Sequence, residues 1–163
     1  MKVYISGKIG EDVISDATRE KFNLAQEMLQ SMGLEVFNPC NAAWQRVLKR
    51  GYENELFEKG GMKASTIPFY DYCLLRDMMA LSLKDAIYFL EDWSKSPGAK
   101  AEHAFALATK KKILFASREH AVYHLEEEWK KAKDIMSMRC PRYKFVDYHL
   151  HEIWLPIKKE GVQ

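Results

Sequence analysis

The residues with the clearest chemical capacity lie between Ser96 and Glu102. Ser96 can cap a helix and Pro97 suits its first position. The unpaired N–H groups of such a start make a natural anion site. Glu102 follows close behind, and the positive helix end favours its ionised form. A second cluster follows Tyr4, in the loop Ser6-Gly7-Lys8-Ile9-Gly10. Its glycines allow backbone N–H groups to approach a phosphate and its lysine adds charge. The same residues equally make a plain turn with a solvated lysine, since the loop is neither a Walker loop nor a GxGxxG. Asp77, beside Arg76, reads by itself as a solvated helix residue. Trp44 and Tyr52 could stack on a base or simply pack their own segment.

These groups need a scaffold, and the apolar pattern supplies one. Val3 to Ser6, Leu34 to Phe37, Ala86 to Leu90 and Ile113 to Ala116 read as short buried strands. Between them, Phe22, Ala25, Met28, Leu29 and Met32 recur at helical spacing after Ser15-Asp16, and Gly33 ends the run. Tyr72, Leu75, Met79 and Leu83 predict the apolar stripe of another helix. In the helix bearing Glu102, Ala101, Ala104, Phe105 and Ala108 are expected to face the sheet. A further helix spans about Ser117 to Met136. Strands alternating with helices predict an α/β fold: three layers, a Rossmann-like or flavodoxin-like parallel sheet flanked by helices, in one domain over residues 1–163.

Two stretches resist this pattern. Residues 40–68 carry Trp44, Val47 and Leu48 at short helical spacing but also Gly51, Gly60, Gly61 and Pro68. They are expected to form an irregular excursion, either a lid or a surface insertion. Residues 140–163 are expected to be a final strand or an irregular arm, with Trp154-Leu155 docking onto something, such as a partner subunit.

A formal net charge of +2, with no basic run interleaved with aromatics, argues against a nucleic acid polymer as partner and for a small molecule. Cys40, Cys73 and Cys140 lack metal-ligand spacing. The N-terminal MKVYISGKIG has no signal-peptide h-region, and no stretch is apolar enough to span a membrane. These features predict a cytoplasmic protein with free thiols. His120 and His124, and His149 and His151, are the metal alternative; no HExxH motif accompanies them, and no metal or cofactor is expected.

The segments YISGKI, CLLRDMMALSLKDAIYFLEDW and SPGAKAEHAFAL together resemble the nucleoside 2-deoxyribosyltransferase-like superfamily, which includes deoxynucleoside 5'-monophosphate N-glycosidases. The resemblance covers roughly residues 1 to 116. It implies that Glu102 is a nucleophile in an S-x-G-x-x-x-E segment, with Ser96 and Gly98 at the other marked positions. It raises Asp77, eight residues before Asp85, to the second acid, with Asp92 a weaker substitute. It places Tyr4, Ser6, Gly7 and Lys8 against sugar or phosphate, although Lys8 and Gly10 stand where the hydrolases carry serine and arginine. Trp44 completes the substrate-binding candidates. Homo-oligomers, dimers above all, are expected from the same resemblance.

The implied chemistry suits the residue types. Cleavage of an N-glycosidic bond passes through an oxocarbenium-like state that a carboxylate can stabilise or trap, while a second carboxyl of raised pKa helps the base leave. The leading expectation is an N-glycosidase of a nucleoside 5'-monophosphate. The alternatives are a 2-deoxyribosyltransferase on free nucleosides, a nucleotide sensor without turnover, and a domain acting on a signalling nucleotide such as NAD.

Overall fold

A computed structural model describes residues 1–11, 13–55, 61–136 and 140–157. Gly60 and the tail beyond residue 157 lie outside the described residues, as does the side chain of Met136. Four parallel strands, β1 (Lys2–Ser6), β2 (Glu35–Phe37), β3 (Ala86–Phe89) and β4 (Lys112–Phe115), form one sheet in the order β2-β1-β3-β4. The chain leaves β1 for β2 on one side and then returns for β3 on the other. The carboxyl ends of β1 and β3 therefore flank the crevice where the strand order reverses, the usual ligand position in such sheets.

β1, β3 and β4 are largely apolar on both faces because both are covered, whereas the edge strand β2 is only half-buried. Val3, Ile5, Ala86, Tyr88 and Leu114 pack with Phe22, Ala25 and Leu29 of α1 (Asp16–Ser31). Tyr4, Ile87, Phe89, Ile113 and Phe115 pack on the other face. There they meet Leu81 of α3 (Phe69–Ser82), Ala106 of α4 (Pro97–Ala108), Leu125 of α5 (Arg118–Met136) and Val146 of α6 (Arg142–Ile153). The expected three-layer α/β arrangement is thus present. Ser15 caps α1 through Thr18 N–H, and Gly33, at φ +79°, ends the helix as expected.

Residues 40–68 are more regular than expected. Asn41 caps a helix, α2 (Ala42–Asn54), which runs through Gly51 without breaking. The glycine serves packing there: a Cβ at position 51 would collide with the Tyr72 hydroxyl, which is donated to Glu55 at 2.6 Å. Gly51→Ala should therefore destabilise the protein by about 1–3 kcal/mol through overpacking, visible in chemical denaturation. Leu48, Ala64 and Tyr72 form a small core of their own, with Trp44 and Tyr52 packed on it.

Three other expectations need correcting. The segment after Pro141 is the helix α6, because Val146, Leu150 and Ile153 recur at helical spacing and are buried. The apolar stripe of α3 points outward: Leu75, Met79 and Leu83 are 52%, 60% and 75% exposed, while Tyr72 and Leu81 are buried. In α4 the inward residues are Ala99, Glu102 and Ala106, whereas Ala104 and Ala108 are exposed. Among the described residues no helix is long and apolar enough to cross a membrane.

Candidate active site

Side chains alternate along a strand, so Tyr4 and Ser6 leave β1 on the same face. That face meets α4. Tyr4 donates its hydroxyl to Glu102 Oε1 at 2.6 Å, and Ser6 donates to Oε2 at 2.5 Å. Glu102 is only 6% exposed, so its carboxylate is buried with both oxygens engaged by hydroxyl donors. The helix is held by the predicted cap, with Ser96 Oγ accepting from Ala99 N–H at 3.3 Å.

Above this carboxylate lies a cavity of about 440 Å³, a size suited to a nucleoside-sized ligand. Tyr4, Ser6, Gly7, Ser96, Gly98, Asp77 and Glu102, all expected at the site, line it together. Gly7 also lets the loop close onto β3, since a Cβ there would stand 2.8 Å from Leu90 Cδ1.

Asp77 faces this cavity from α3, partly accessible through the opening yet closely surrounded by protein. Trp44 Nε1–H, from α2, donates to Asp77 Oδ1 at 2.7 Å. Burial is the main force raising the Asp77 carboxyl to about 8; repulsion from Glu102 adds to it, and the Trp44 bond opposes it. Burial likewise lifts Glu102 to about 7, against the bonds from Ser6 and Tyr4. Two hydroxyl donors on Glu102, against one indole donor on Asp77, favour placing the charge on Glu102, whose repulsion then keeps Asp77 neutral. Near neutrality the pair can hold one charge and one proton, the division of labour that acid–nucleophile chemistry needs. Burial, then the Glu102 charge, keeps the Tyr4 phenol protonated well above its usual range, so it remains a donor.

Three expected site residues do other work. Asp92 does not line the cavity: its Oδ1 accepts the Lys8 N–H at 3.1 Å and its Oδ2 accepts Lys21 Nζ at 2.6 Å. Lys21 Nζ also donates to the Lys8 carbonyl at 2.9 Å, so these groups fasten the glycine loop to α1 and to the loop after β3. Lys8 acts in this fastening through its backbone, and its side chain is not part of the lining. Trp44 packs edge-on against Phe37 and orients Asp77 instead of offering its face to a base. Replacing Trp44 by phenylalanine should lower any Asp77-dependent rate by about tenfold. Because the lost bond favoured the charged form, Asp77 should then hold its proton to higher pH, which a pH–rate profile would register.

Several lining residues escaped sequence reasoning. Glu11 accepts Ser15 N–H at 2.6 Å and Thr18 Oγ1–H at 2.9 Å, and these bonds, led by the Ser15 one, hold its carboxyl below the usual range. Its position four residues ahead of the cap Ser15 was the available signal. Gln45, Tyr70 and Cys73 also line the cavity, on helices whose inward phase the apolar pattern misassigned or left short. Burial, then Asp77, pushes the Cys73 thiol to about 12, so it is no nucleophile. The rings of His120 and His124 pack near Phe115 and are not part of the cavity lining. Among the described residues no group of three His, Cys, Asp or Glu side chains could hold a metal ion.

Residues 1–115 match a family model described as a domain of unknown function, DUF4406, while no curated protein and no solved structure matches the chain. That span carries every cavity residue named above, from Tyr4 to Glu102. The chain therefore belongs to the DUF4406 family.

Proposed function

We propose that this protein is an N-glycosidase that cleaves the base–sugar bond of a nucleoside 5'-monophosphate. The observation that carries the reading is Glu102, buried on the cavity wall between two hydroxyl donors, with a second carboxyl of raised pKa facing the same cavity. A Glu102 oxygen attacks C1' as the bond to the base nitrogen breaks, and protonated Asp77 gives its proton to the departing base. The product is a glycosyl ester on Glu102. Water, deprotonated by the Asp77 carboxylate, attacks C1' and releases the sugar and free Glu102. Tyr4 and Ser6 support the step by fixing the carboxylate and dispersing its charge, and Ser6 can rotate aside as one oxygen turns nucleophilic.

A second reading has its own support. The cavity lining, among the described residues, holds three carboxyl groups, Glu11, Asp77 and Glu102, and no Lys, Arg or His. That inventory favours an uncharged nucleoside, and a second base in place of water would make the reaction a transfer. Incubation with 2'-deoxynucleosides, their 5'-monophosphates and NAD, following free base by chromatography, separates the readings. Release from monophosphates supports the first and release from nucleosides the second, while release from NAD would redirect the assignment. Saturable binding with no release from any of them would leave a binding module and overturn the enzyme reading.

A further inference from the structure

Tyr70 lies at the start of α3 and lines the cavity, with 53% of its surface exposed. Its hydroxyl makes no hydrogen bond among the described residues. It stands over Gly98: a Cβ built there would be 3.0 Å from the Tyr70 hydroxyl and 3.8 Å from Ser96 Oγ. The missing side chain at position 98 thus leaves a notch bordered by two hydroxyls. The first turn of α4 adds little else, since Pro97 has no N–H, the Ala99 N–H is taken by Ser96 Oγ and the Lys100 N–H by the Ser96 carbonyl. The notch therefore offers the Tyr70 and Ser96 hydroxyls and the Gly98 N–H, three neutral donors.

Gly98 and Ser96 precede Glu102 by four and six residues, or about 6 to 9 Å along a helix axis. In a nucleoside C1' and the 5' oxygen lie about 4 to 5 Å apart, and a contact of about 3 Å at each end lets the ligand bridge that span. With Glu102 at C1', as the glycosidase reading on which this rests requires, the 5' oxygen falls in the notch. We propose that Tyr70 is the specificity-determining residue for the 5' end of the ligand, donating its hydroxyl to the 5' oxygen.

The test compares Kd values of 2'-deoxyadenosine, its 5'-monophosphate and 2',5'-dideoxyadenosine, with the corresponding guanosine, cytidine and thymidine series. Binding is measured by calorimetry on Glu102→Gln protein, so that turnover is not needed, with and without Tyr70→Phe. The phenylalanine should weaken the 5'-oxygenated ligands by about five- to tenfold and leave the 5'-deoxy ligands unchanged. Gly98→Ala, which pushes the phenol out of place, should reproduce the selective loss. Equal weakening of all ligands would reduce Tyr70 to packing, and no weakening would remove its role; either overturns the proposal. Selective loss in a protein whose wild type releases no base would uphold Tyr70 while removing the glycosidase reading. Failure of every probe to bind would overturn both.

Discussion

Glu102→Gln should abolish base release, with a loss at least on the order of 10⁴-fold, because an amide cannot form the glycosyl ester. The same substitution should make the protein more stable at pH 8. The folded-state value of about 7 lies above the ordinary 4.5, so the folded protein binds this proton more tightly than the unfolded chain does. Below pH 4.5 both states are protonated and the group costs nothing. Between pH 4.5 and 7 the unfolded chain gives up the proton first and stability falls; above 7 the cost is constant at roughly 3 kcal/mol. Glutamine carries no such cost. Thermal denaturation should therefore show the variant ahead of wild type at pH 8 and level with it at pH 4. A variant that retained base release would remove Glu102 from the nucleophile role.

Asp77→Asn should lower base release by about 10²- to 10⁴-fold for bases that must leave protonated. A nucleoside of 7-methylguanine, whose base already carries positive charge, should lose far less. Wild type should show a bell-shaped profile: activity rises as Glu102 ionises through about 7 and falls as Asp77 loses its proton through about 8. The asparagine variant has no proton to lose there, so its alkaline limb should disappear. An equal loss on both kinds of substrate, with that limb intact, would deny Asp77 the role of acid.

The strands and the polarity of α4 were legible because they rest on local chemistry. A continuous apolar run bounded by glycine or asparagine reads as a covered strand, and Ser96-Pro97 marks a helix start by its own hydrogen bonding. The inward face of α4 was not legible, because a buried glutamate stands in it between Ala99 and Ala106. An apolar stripe sought without that glutamate rotates the helix to Ala104 and Ala108. α3 misled in the opposite way, since Leu75, Met79 and Leu83 form a good stripe that faces out. In α2, Gly51 looked like a stop, but tertiary contact with Tyr72 decides its identity. The pairing of Trp44 with Asp77 joins residues 33 positions apart and left no periodic trace.

The far end of the chain bears on solubility. After α6, Trp154 bridges to Phe115 in parallel, Leu155 N–H donates to the Phe115 carbonyl at 2.8 Å, and Trp154 Nε1–H donates to the Ala116 carbonyl at 3.1 Å. The Tyr88 hydroxyl holds the Leu155 carbonyl from below the sheet at 2.5 Å. β4 is an edge strand, and a row of open backbone groups there would invite pairing with another molecule. Trp154 and Leu155 occupy the end of that row nearest the cavity. They act as a gatekeeper against edge-to-edge pairing at the carboxyl end of β4.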